Sequence, residues 1–123
     1  MGADRRRARQ EALVRALAAA ELDGLLVTSR ANIRYLTGFA GSAGLVAVTR
    51  ADVLLVTDFR YGEQARAEAG AVARVEVEGT SVWDRFFRDL ATLGPLGWMG
   101  YEAHALTVRD AERLAEGGKA WRG

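Results

Sequence analysis

Ser42 stands in the run Ala40-Gly41-Ser42-Ala43-Gly44, with Gly38 three residues before Gly41, and the 123-residue chain holds one histidine, His104. A serine among glycines can be a nucleophile on a tight turn, and spaced glycines can bare backbone N–H groups to a phosphate. Neither pattern is complete. Glycines at 38, 41 and 44 do not follow G-x-G-x-x-G, and no G-K-[ST] comes after them. They also lie between a helical stretch and a strand, the reverse of the order that aims a helix N-terminus at an anion. The serine run lacks the first glycine of G-x-S-x-G, since position 40 is alanine. A small hydrolase built on Ser42 and His104 would still need an acidic third member. A lone histidine just before a helix is more commonly a surface or capping residue. Asp58 could pair with Glu63 or Glu102, but one histidine, no cysteine and scattered carboxylates give no ligand spacing for a metal. As a helix cap beside Arg60, Asp58 has a simpler role. Trp83, Trp98 and Trp121 lack the interleaved basic stripe of a base-stacking surface and fit a core or an interface.

Composition narrows the classes further. Seventeen basic side chains face sixteen acidic ones, so no net field points to nucleic acid or an anionic membrane. Half the residues are apolar, as in ordinary globular proteins, and the length suits one domain, 1–123. The absence of cysteine excludes disulfides and fits a reducing cytoplasm. The N-terminus is arginine-rich and amphipathic, unlike a signal peptide, and no apolar run is long enough to span a bilayer. The Arg5, Arg6, Arg7 and Arg9 cluster is expected to be a solvated helix end.

The elements that must position these residues alternate. Asp4 to Glu21 is predicted helical, with Leu13, Val14, Leu17 and Ala18 on one face. Leu25 to Val27 has the apolar continuity of a central strand, and Ser29 or Asn32 can cap a short helix ended by Gly38. Leu45 to Thr49 and Val53 to Thr57 form a hairpin, and Asp58 caps a helix carrying Tyr61, Ala65 and Ala69. Val72 to Val77 alternates as a half-exposed strand, and a helix starts after Ser81 and stops by Gly94-Pro95. Trp98 to Tyr101 is a strand, Thr107 and Asp110 resemble a capping box, Gly117-Gly118 breaks that helix, and Trp121 opens a last strand. The alternation implies an α/β fold around a mixed sheet. The loop from Phe39 to Gly44, flanked by Tyr35, is small enough to let another surface approach its backbone, which suits recognition.

In order, Asn32-Ile33-Arg34-Tyr35-Leu36-Thr37-Gly38-Phe39, Gly41-Ser42-Ala43-Gly44, Thr57-Asp58-Phe59-Arg60-Tyr61 and Gln64-Ala65 resemble the N-terminal domain of the creatinase, prolidase and aminopeptidase P family. Leu22-Asp23, Gly100-Tyr101-Glu102 and Leu106-Thr107 extend the resemblance over nearly the whole chain.

The resemblance implies a mixed, about six-stranded sheet with helices on both faces and a ribonuclease H-like motif. It implies a parent Xaa-Pro dipeptidase or aminopeptidase acting on proline-containing peptides. A C-terminal domain outside this sequence would hold two divalent metal ions, such as manganese, cobalt or zinc. This chain would then be the non-catalytic half of a cytoplasmic protein, with no catalytic residue and no metal ligand of its own, inactive alone. Its partners would be that domain and a second subunit, in a dimer or larger assembly. Carried over, Phe39, Ala40, Gly41, Ser42, Ala43 and Gly44 are the loop that leans over the partner subunit's active site. Asp58, Arg60 and Tyr61 are structural or substrate-side residues next to it. The arginine that creatinase carries in this loop is missing. The alternative is a free-standing binding or interaction module that shares the fold.

Overall fold

The computed structural model describes residues 2–116 and 120–122, so the break expected at Gly117-Gly118 lies outside the described residues. In chain order the elements are α1 (Gly2–Ala19), β1 (Gly24–Val27), α2 (Arg30–Thr37), β2 (Leu45–Thr49), β3 (Val53–Asp58), α3 (Gly62–Ala69), β4 (Arg74–Glu78), α4 (Val82–Leu90), β5 (Trp98–Tyr101), α5 (Val108–Glu116) and β6 (Ala120–Arg122). The strands form one six-stranded sheet in the order β4-β3-β2-β1-β5-β6. β2 is antiparallel to both β1 and β3, and the remaining pairs are parallel. This is the mixed sheet that the alternation of elements predicts.

Alternate residues of each strand feed two cores. On one face Val27, Val46, Val48, Val53 and Leu55 pack with Ile33 and Leu36 of α2, Ala65 and Ala69 of α3, and Phe39. Leu13 and Val14 bring α1 to the same layer, while Ala18 faces solvent. On the other face Leu26, Ala47, Leu54, Val56 and Met99 meet Phe86 and Leu90 of α4 and Leu114 of α5. Helices therefore cover both faces. β1, β2 and β3 read as nearly unbroken apolar runs because they are buried on both sides.

Local signals explain the boundaries. Ser29 caps α2 by accepting from the Asn32 N–H, and Gly38 ends it at φ 84°, a conformation that favours glycine. Ser81 caps α4 through the Asp84 N–H, and the Thr107 hydroxyl accepts from the Asp110 N–H at the start of α5. Arg5 and Arg7 are exposed, as the sequence predicts for a solvated end, but three of the four arginines also bond to the fold. Arg6 donates to the Thr37 and Glu68 carbonyls, Arg7 to Ala71 and Arg9 to Tyr35. Gln10 adds bonds to Leu36 and Val72. One face of α1 thus satisfies carbonyls at and just beyond the C-termini of α2 and α3, where cations also meet the negative end of each helix dipole.

Candidate functional site

Strand direction gathers the candidate residues. β2 runs against the other five strands, so its N-terminal end shares one rim of the sheet with their C-terminal ends. That rim carries Thr28 and Ser29 after β1, the loop Phe39–Gly44 before β2, Asp58–Tyr61 after β3, and Glu102 to His104 after β5.

The loop is anchored at almost every step. The Phe39 N–H donates to the Thr37 hydroxyl (3.1 Å). The Ala40 N–H donates to a Glu68 carboxylate oxygen (3.0 Å), and the Ala40 carbonyl accepts from Arg30 Nη2 (2.9 Å). Thr57 Oγ1 donates to the Ala43 carbonyl from the neighbouring strand. Ser42 Oγ and Tyr61 Oη lie 2.6 Å apart, joining the loop to the turn after β3. Phe39 is fully buried, and the Tyr61 ring meets it edge-on with centroids 6.1 Å apart. Gly41 covers that ring: a Cβ there would fall 2.2 Å from Phe39 Cζ. Of the six loop residues, Phe39 and Gly41 are therefore buried, Ser42 is exposed, and Ala40, Ala43 and Gly44 are half-buried.

Asp58 accepts from the Arg60 N–H (3.0 Å) and so caps the single 3₁₀ turn Phe59–Tyr61 that leads into α3, not α3 itself as the sequence predicts. Its carboxylate also takes two bonds from the Arg60 guanidinium (3.1 and 2.7 Å). The Arg60 side-chain hydrogen bond is the main reason the Asp58 carboxyl is held below its ordinary range. Between them, Phe59 is 69% exposed, a large apolar ring presented at the rim. The structure thus brings Ser42, Asp58, Arg60 and Tyr61 into one neighbourhood.

His104 is exposed in the turn after β5, and the hydroxyl of Ser42 is bonded to Tyr61. A phenol that keeps its proton has no ready place to take another, so it is a poor general base. Among the described residues, no three His, Cys, Asp or Glu side chains are grouped to hold a metal ion. The arrangement can present shape and apolar surface, and it offers no nucleophile with a base beside it.

One feature of the rim lies beyond the sequence patterns. Glu102 Oε1 accepts from the backbone N–H groups of Thr28 and Ser29 (both 2.8 Å), while Oε2 accepts from Asn32 Nδ2. It locks the corner between β1 and α2 from 70 or more residues away in sequence. Its sequence signals, a place directly after an apolar strand and in the run Gly100-Tyr101-Glu102, do not name this partner.

The family profile described as the Creatinase/Prolidase N-terminal domain matches residues 9–121. The chain belongs to this family. The N-terminal domain of the cytoplasmic peptidase PepQ from Mycobacterium tuberculosis H37Rv superposes with a TM-score of 0.81 at 34% identity, over 94% of this chain and 90% of that one. The Xaa-Pro dipeptidase from Bacillus anthracis superposes with a TM-score of 0.86 at 27% identity, over 94% of this chain and 32% of that one. The uncharacterized peptidase YqhT of Bacillus subtilis is 35% identical over 86 residues, 70% of this chain and 24% of its own length. The creatinase/prolidase N-terminal domain described here therefore spans about a quarter of YqhT and a third of the dipeptidase. No helix among the described residues is long and apolar enough to cross a membrane.

Proposed function

We propose that this domain is the non-catalytic accessory part of a cytoplasmic, metal-dependent Xaa-Pro peptidase, where it assembles subunits and gates a partner subunit's active site. The observation that carries this reading is the rim. A loop of small residues, fixed by Glu68, Arg30, Thr57 and Tyr61, presents Ser42 and the neighbouring Phe59 without an acid–base pair. Such a surface can exclude water and limit peptide length while another domain supplies the chemistry. The named Xaa-Pro dipeptidase among its relatives is about three times as long as the matched region, which leaves room for that domain.

In this reading the two divalent ions belong to the second domain, since the described residues here offer no ligand group. There they would act as Lewis acids and lower the pKa of a bound water. Asp58, Arg60 and Tyr61 hold the wall of the gate, through the Asp58–Arg60 pair and the Tyr61–Ser42 bond.

The test uses the parent peptidase with Ser42→Trp, a substitution at an exposed position. A gate predicts a raised KM for longer Xaa-Pro peptides, with kcat on the shortest dipeptide retained. Equal effects on all lengths, or none, would remove the gating role. The isolated chain is expected to hydrolyse no Xaa-Pro peptide with manganese, cobalt or zinc added.

A further inference from the structure

We infer that the groove between α1, α2 and the β1–β5 seam binds a free apolar α-amino acid as its zwitterion. The inference does not rest on the peptidase reading. The groove encloses about 240 Å³. Pockets for drug-sized ligands run from roughly 300 Å³ upward, so this one suits an amino-acid-sized molecule. Its floor is aliphatic: Leu13, Leu25, Val27 and Leu36. Its polar lining is Glu102 with Asn32, and Arg9 with Tyr35.

Glu102 is the residue that asks for a ligand. It is 8% exposed, and among the described residues no guanidinium forms an ion pair with it. A carboxylate has about four acceptor positions. Thr28 and Ser29 N–H groups occupy two on Oε1, and Asn32 occupies one on Oε2. These bonds leave one acceptor position, on Oε2, of a residue that lines the groove, and a buried charge is best met by an opposite charge. An ammonium group supplies it.

Arg9 supplies the complement. Its guanidinium lies 4.1 Å from the Tyr35 ring centroid, and Nη1 donates to the Tyr35 carbonyl (2.9 Å). Of its five N–H donors, one is used in that bond. The stack holds the planar group at the groove, where its remaining donors can take a carboxylate. Ammonium at Glu102, carboxylate at Arg9 and an aliphatic side chain on the floor together describe an amino acid such as leucine.

The test is a titration of the 123-residue chain, followed by amide NMR, with L-leucine, isoamylamine and 4-methylpentanoate. The two analogues lack the carboxylate and the ammonium respectively. Leucine is expected to give saturable shifts at Ser29, Tyr35 and Leu25, with each analogue binding about tenfold more weakly, the equivalent of one charge-assisted hydrogen bond. Arg9→Met should erase the difference between leucine and isoamylamine, and Glu102→Gln that between leucine and 4-methylpentanoate. If Glu102→Gln does not fold, the analogue series and Arg9→Met decide the matter. No saturable shift, shifts away from the groove, or an analogue binding as well as leucine would each overturn the inference.

Discussion

Two buried carboxylates handle their charge in opposite ways. Asp89 on α4 is 6% exposed and pairs with Arg85 Nε at 2.7 Å and Arg74 Nη2 at 3.6 Å. The same arginines reach Glu76 and Glu78 on β4, so the pair is one part of a network across an edge strand. The Asp89 hydrogen bond is the chief reason the Arg85 guanidinium is pushed above its usual range. Glu102, equally buried, has neutral N–H donors instead. The first arrangement lays charge along β4, which also discourages another strand from adding to that edge. The second fixes a corner and leaves an acceptor position open. Burial alone therefore does not say what a carboxylate does; the charge state of its partners does.

The largest test of this contrast is truncation. Glu102→Ala strands two backbone donors and Asn32 at the corner between β1 and α2, and should cost about 3 kcal/mol. Asp89→Ala frees two partly exposed guanidinium groups that keep Glu76 and Glu78, and should cost about 1.5 kcal/mol. Urea denaturation midpoints compare the two directly, and equal losses would erase the distinction. Salt sharpens it: from 0.1 M to 1 M the Debye length falls from about 10 Å to 3 Å. The cost of Asp89→Ala should shrink across that range, while that of Glu102→Ala should not.

The next effect concerns the rim against an open turn. Gly41→Ala places a methyl group into the Phe39 ring, and Gly79→Ala places one where nothing lies within 4 Å. Overpacking against a buried ring should cost about 1–3 kcal/mol, whereas the Gly79 change should stay within about 0.5 kcal/mol. Thermal melts of both variants check the ranking. A neutral Gly41→Ala would mean that the loop yields easily, and the fixed gate proposed above would lose its physical basis.

The order of elements was legible because it is written in short-range signals. Ser29, Gly38, Ser81 and Thr107 are caps whose chemistry acts within a few residues. The central strands announced themselves by apolar continuity. The loop Phe39–Gly44 and its neighbours Asp58, Arg60 and Tyr61 were nameable from the family resemblance, and the Asp58 cap from its position. What could not be read is long-range pairing. Arg6, Arg7 and Arg9 look like a solvated basic end until α2 and α3 are seen to finish beside them. Phe39 reads as part of a lid, yet its ring is core, and no periodicity runs through a loop to say so. Glu68 and Glu102 give no local sign that they hold Ala40 and the β1–α2 corner.

The smallest expected effect lies in the pH dependence of the Asp58–Arg60 pair, an ion pair on the exposed side of the rim. Arg60 lowers the folded-state pKa of Asp58, first through its side-chain hydrogen bond and further through its backbone N–H and charge. A depressed carboxyl pKa adds stability above the unfolded value, near 3.9, and that stability is lost as the pH falls through the folded-state value. Asp58→Asn keeps an oxygen for the Arg60 N–H but removes the charge. The variant should therefore be slightly less stable than the parent chain at pH 7, and the gap should close as acid protonates Asp58 in the parent. Denaturation midpoints measured from neutral pH to below the carboxylate range test this. A gap that stays constant with pH would mean that Asp58 serves through cap geometry alone, making the charge of the pair irrelevant to how the rim is held.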